Sequence, residues 1–201
     1  NNKYLNCFSI EDRCNSWNLN KKIRFLLISR IVKNKGILLA IEIFSRIQKK
    51  YKHLNFEFII AGDGPYIKTI KKYIYSIDVN NIILKGHVVD ERKSRLLINS
   101  DIMLFPTKYG EGLPNCLLEG MLYGLPIISR INAAIPEWVI NNKNGFLTSS
   151  VNADDYLDYI SKLIEDEDTY RQISRANHFK AKKLFISKKI KVRLKKIYDQ
   201  L

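Results

Sequence analysis

Short runs of β-branched and other apolar residues alternate along this chain with longer stretches in which apolar residues recur every three or four positions. The short runs predict strands over Ile23 to Ser29, Phe56 to Ala61, Asn81 to Lys85, Asp101 to Phe105, Pro126 to Ser129 and Gly145 to Thr148. Most are continuously hydrophobic, as parallel strands covered on both faces require. The longer stretches predict helices. Ile41, Phe44, Ile47 and Tyr51 would form the inner face of the first, and Ile67, Ile70, Ile74 and Ile77 that of the second. Asp90 to Asn99, Asn115 to Tyr123 and Ala153 to Glu165 complete the set. The class is α/β, a doubly wound Rossmann-like parallel sheet of about six strands. No strand is evident after Thr148, so the chain should finish in helices. Ile190, Leu194, Ile197 and Leu201 fall on one face of the last of these.

The boundaries follow from the same pattern. Residues 1–20 lack periodicity and read as a tail or linker remnant, 21–185 as the main domain, and 186–201 as an amphipathic basic helix. With 201 residues and 46% hydrophobic content, the chain can bury a core. No apolar run is long enough to cross a bilayer, and the polar N-terminus does not resemble a signal peptide, so a cytoplasmic location is expected.

Cys7, Cys14 and Cys116 form no CxxC pair and read as reduced thiols. His53, His87 and His178 lack metal-ligand spacing. The net charge of +14 favours anionic partners. Nine basic residues and no acidic one lie between Lys180 and Lys196. That stretch reads first as a packing helix and then as a contact with an anionic membrane surface. Nucleic acid is disfavoured, because no binding module or aromatic platform accompanies the charge.

The stretch from Pro106 to Pro126, PTKYGEGLPNCLLEGMLYGLP, follows a strand and therefore stands at the carboxyl edge of the sheet, where ligands bind in open α/β folds. Gly110 and Gly112 would let the backbone turn tightly and approach a ligand. Pro114 suits a helix start, whose unpaired N–H groups attract phosphate. Glu119 shares a helical face with Asn115 and could accept bonds from two ribose hydroxyls; Glu111 could do the same for a sugar. Two solvated glutamates in an ordinary connection would give the same spacing. Arg30 and Lys35, after the first strand, could hold a diphosphate, though two cations in so basic a chain also fit plain surface.

SRIVKNKG, AGDGP (Ala61 to Pro65), KGHV (Lys85 to Val88), EGLPNCLLEGMLYGLPIIS, PEW and NGF, in this order, resemble the successive motifs of family 4 glycosyltransferases of the GT-B fold. The resemblance covers roughly residues 22–185 and implies half of that fold, the donor nucleotide-sugar-binding domain. It implies that Arg30 and Lys35 bind the donor diphosphate, Glu119 the ribose and Glu111 the transferred sugar. Backbone N–H groups of Gly112, Leu113 and Asn115 would hold sugar hydroxyls and phosphate, and the main chain of Gly86, His87 and Val88 would lie near the base. The implied reaction is retaining and metal-independent, and needs no cofactor. It would move a hexose or N-acetylhexosamine from a nucleotide diphosphate sugar, more often UDP than GDP, to a glycan or lipid-linked acceptor. Such an acceptor calls for an N-terminal domain for which this length leaves no room, so donor binding is expected to exceed transfer. Asp166-Glu167-Asp168 matches a metal-holding Asp-x-Asp string, but its polar setting after a helix reads as a helix boundary. Rival readings are a non-catalytic basic module for membrane or nucleic acid, and a sugar-nucleotide epimerase.

Overall fold

A computed structural model describes residues 3–185 apart from Tyr109, Glu111 and Leu113. The helix expected over 186–201, with Ile190, Leu194, Ile197 and Leu201, lies outside the described residues, as do the site candidates Glu111 and Leu113.

In chain order the elements are α1 (Lys3–Asn6), α2 (Ile10–Ser16), β1 (Ile23–Ile28), a 3-10 turn (Lys33–Lys35), α3 (Ile37–Lys50), β2 (Phe56–Ala61), α4 (Ile67–Ser76), β3 (Ile82–Gly86), α5 (Asp90–Asn99), β4 (Ile102–Phe105), α6 (Asn115–Leu122), β5 (Ile127–Arg130), α7 (Ile135–Trp138), β6 (Gly145–Thr148), α8 (Asp154–Glu165) and α9 (Glu167–Phe185). The strands form one parallel sheet in the order β3-β2-β1-β4-β5-β6. This is the doubly wound arrangement, whose winding reverses between β1 and β4.

Burial follows position in the sheet. Every residue of central β4 is buried, whereas edge strand β3 is only partly covered and exposes Lys85 and Gly86. On α3, Ile41, Phe44 and Ile47 are fully buried, so the predicted inner face is the real one. On α4 only Ile70 is fully buried; Ile67, Ile74 and Ile77 pack against the core from its rim. That difference follows from α4 lying near the edge of the sheet.

The expectation of a tail over residues 1–20 is corrected. Ser9 caps α2, its hydroxyl accepting from the Asp12 N–H at 3.1 Å. Ile10, Cys14 and Trp17 form a buried stripe at helical spacing. Trp17 stacks on Tyr170 of α9 with ring centroids 3.8 Å apart. From Ile10 to Trp17 the chain is therefore part of the core. Among the described residues, no helix is long and apolar enough to cross a membrane.

Candidate functional site

The winding reverses between β1 and β4, and a crevice lies at the carboxyl edge of the sheet there. It is an open cleft of about 590 Å³, lined by segments from four connections: Arg30 and Lys35, Gly62 and Asp63, His87 to Val89 with Lys93, and Pro114 to Cys116 with Glu119. Six of the residues singled out in the sequence, Arg30, Lys35, His87, Val88, Asn115 and Glu119, meet there. Gly86 borders it in the chain, with φ +67° and its carbonyl accepting from the Gly62 N–H at 2.7 Å. Gly112 is exposed and outside the described lining.

Backbone bonds present Arg30. Ser29 N–H donates to the Ala61 carbonyl at 3.0 Å and Ile31 N–H to that of Asp63 at 2.8 Å, so the residues on both sides are pinned to the loop after β2. Gly62 makes that approach possible: its φ is +140° and a Cβ there would sit 1.8 Å from the Ser29 carbonyl oxygen. Buried Ile31 anchors the loop while Arg30 stays exposed. Among the described residues nothing pairs with its guanidinium, which keeps its five donors available for a ligand.

Lys35 closes the 3-10 turn and is half-buried. Burial lowers its pKa, and the neighbouring Cys116 thiol partly offsets this. An ammonium already stripped of part of its water attracts an incoming phosphate more strongly than a fully hydrated one. Gly36, at φ +72°, would place a Cβ 2.0 Å from the Pro106 carbonyl oxygen, and Lys108 N–H donates to the Asn34 carbonyl at 2.8 Å. The loops after β1 and β4 are thus in contact.

The opposite wall is the start of α6. Pro114 stands just before it at φ −65°, and no side chain caps this end. The leading N–H groups therefore keep their positive character toward the cleft. The Cys116 thiol is pushed up to about 12, by burial first and then by the Glu119 carboxylate, with Lys35 opposing. A thiol held protonated in this way is a poor nucleophile.

Gly110 and Gly112 were expected to permit a tight turn. A Cβ on either would meet no described atom within 4 Å.

One residue in the cleft was not recognised in the sequence. Lys93, near the start of α5, places its Nζ 2.5 Å from Glu119 Oε1, and the two side chains are 29% and 30% exposed. Its signal, a lysine near the positive end of a helix, is weak by itself. Asp166, by contrast, behaves as a helix boundary: Oδ1 accepts from the Thr169 N–H at 3.0 Å and Oδ2 from its hydroxyl at 2.6 Å, at the start of α9. Among the described residues, no three His, Cys, Asp or Glu side chains gather as a metal would need.

Comparison with known proteins is consistent with this geometry. The family of glycosyl transferases group 1 matches residues 10–178. The amylovoran biosynthesis glycosyltransferase AmsK of Erwinia amylovora is 31% identical over 155 residues, which are 74% of this chain and 38% of AmsK. Among solved structures, Anabaena HepE in complex with UDP and glucose superposes with a TM-score of 0.80 at 19% identity, over 96% of this chain and 52% of HepE. The C-terminal domain of a group 1 family protein, LpcC of Francisella tularensis, superposes with a TM-score of 0.72 at 20% identity, covering 90% of this chain and 96% of that domain. The chain spans 32% to 48% of the length of the first curated relatives it matches.

Proposed function

Because the chain belongs to the glycosyl transferases of group 1, we propose that its cleft binds a nucleotide diphosphate sugar, UDP-linked in the first instance, for retaining transfer to a glycan or lipid-linked acceptor. The observation that carries this reading is the meeting of Arg30 and Lys35, after β1, with Asn115 and Glu119, on α6, around one crevice at the reversal of the sheet. The diphosphate lies between Arg30 and Lys35 on one side and the uncapped start of α6, with Asn115 N–H, on the other. Glu119 accepts from the ribose hydroxyls. The base lies along Gly86, His87 and Val88.

Glu111, with the backbone N–H groups of Gly112 and Leu113, is assigned to the transferred sugar. As the glycosidic bond breaks, negative charge builds on the departing β-phosphate, and Arg30 and Lys35 oppose it from fixed positions. These two cations take the part that a divalent metal plays elsewhere, so the proposed reaction needs neither metal nor cofactor. That HepE was solved with UDP and glucose, and that AmsK is named for the biosynthesis of amylovoran, supports a sugar-nucleotide donor and a polysaccharide product.

The acceptor side is proposed to come from a second domain, and the basic stretch Lys180 to Lys196 to bring the protein to the inner face of the plasma membrane. Titration calorimetry with UDP and GDP tests the donor site. Micromolar to millimolar binding of one of them is expected. Glu119→Ala should weaken it roughly ten- to hundredfold, the worth of one or two bonds to a charged group. If neither nucleotide binds at millimolar concentration, or if Glu119→Ala binds like the parent, the reading is wrong.

A further inference from the structure

We infer that Lys93 is a positioning residue for ribose recognition, holding one oxygen of the Glu119 carboxylate so that the other is presented as an acceptor of fixed direction. This rests on the donor-site reading above and deepens it.

Three observations carry it. First, Lys93 Nζ lies 2.5 Å from Oε1 of Glu119, and no described residue donates to Oε2. One oxygen is committed while its twin keeps its lone pairs. Secondly, the pair stands between two hollows: both residues line the 590 Å³ cleft and also a 220 Å³ cavity between α1, α5 and α6. With each side chain about 30% exposed, the pair is less screened than one on open surface, so it constrains geometry more than a solvated bridge does.

Thirdly, both helices are fixed at their far ends. Arg13 of α2 donates to the carbonyls of Ser100, Leu97 and Ile98 at 2.6, 2.8 and 2.9 Å, just where α5 ends. Asn177 and His178 of α9 donate to the carbonyls of Leu125 at 2.8 Å and Leu122 at 2.6 Å, at the end of α6. A salt bridge between two anchored helices holds its carboxylate in one rotamer; a lone Glu119 would turn about its terminal bond and hydrate both oxygens. A cation near the N-terminus of α5 works against the helix dipole, and Glu119 offsets that cost.

The test separates orientation from charge. Binding of UDP, 2′-deoxy-UDP and inorganic pyrophosphate is measured by calorimetry for the parent, Lys93→Met and Lys93→Arg, with GDP and its 2′-deoxy form used if GDP is the nucleotide bound. The parent is expected to prefer the ribonucleotide. Lys93→Met should weaken the ribonucleotide roughly tenfold and bring the ribo-to-deoxy ratio toward one, with pyrophosphate binding little changed. Lys93→Arg should restore the ratio. A ratio in Lys93→Met equal to the parent's overturns the inference while leaving the donor site standing. Equal losses for UDP and pyrophosphate also overturn it, because Lys93 would then supply charge alone. Absence of nucleotide binding by the parent overturns the donor site and this inference together. Circular dichroism melts of both variants establish that they are folded; if Lys93→Met is not, Lys93→Gln takes its place under the same criteria.

Discussion

The two ends of α5 and α6 are built on opposite principles. At the rear, the helix ends are closed by buried polar side chains from α2 and α9: Arg13, 7% exposed, bonds three carbonyls, and Asn177 and His178 bond two more. At the front, α6 starts without a side-chain cap, and among the described residues nothing donates to the second oxygen of Glu119 or pairs with the Arg30 side chain nearby. Paired helix-end carbonyls fix the rear, although Arg13 Nε and Asn177 Oδ1 are buried there without a described partner, and groups with capacity left over face the cleft at the front. With the proposed donor site at the front, stability and binding are separated along the length of the same two helices.

The sharpest way to break this comparison is at Arg13. Arg13→Met leaves three helix-end carbonyls without their donor, and a loss of about 3 kcal/mol is expected, which for this chain length lowers the Tm by roughly 10 °C in a thermal melt. Nucleotide binding below the transition should weaken less than in Glu119→Ala, because Arg13 touches no ligand.

His178 gives a smaller, pH-dependent effect. Burial holds its pKa below the ordinary value of 6.5, with Lys182 and Arg13 adding to the shift and the Leu122 carbonyl opposing it. The folded protein keeps the ring neutral while the unfolded chain takes up a proton. Its contribution is therefore present above pH 6.5 and lost as the pH falls from there through the lower folded value. The Tm should therefore be lower at pH 5 than at pH 7.5, and His178→Gln should flatten that part of the profile whatever its own Tm.

The smallest effect belongs to Arg95 and Glu91, an i,i+4 pair on the solvent side of α5 with side chains 66% and 53% exposed. Arg95→Ala should move the Tm by less than about 1 °C and leave UDP binding unaltered in calorimetry. A large loss of nucleotide affinity would show that charge near α5, rather than the fixed Lys93 to Glu119 geometry, governs the site.

The sheet was legible because its inner strands are buried on both faces and carry continuous apolar runs, and edge strand β3 keeps such a run although it is only partly covered. Ile23 to Ser29 was predicted where Ile23–Ile28 forms, and Asn81 to Lys85 where Ile82–Gly86 forms. The cleft was legible in part, since Arg30, Lys35 and Glu119 stand at strand ends that the winding brings together. What escaped was the packing of the terminal helices. The buried stripe of α9 includes Ser174, Asn177 and His178 among Tyr170, Ile173 and Ala181, so its apolar periodicity is diluted. In α2 the stripe is three residues long and sits in a polar run, although Ser9 with Asp12 was a capping signal. Lys93 escaped for another reason: its partner is 26 residues away, and no local pattern records which turn of α5 faces α6.

The contact between Gly36 and Pro106 gives the cleft a further property. The Asn34 carbonyl accepts from the Lys108 N–H, and Thr107, wholly buried, fixes the backbone between. The lip bearing Arg30 and Lys35 and the lip leading toward Glu111 are therefore stitched at the base like the two sides of one jaw. Whatever closes upon this edge of the sheet meets a bite already set in width, not two fingers that must each find their place.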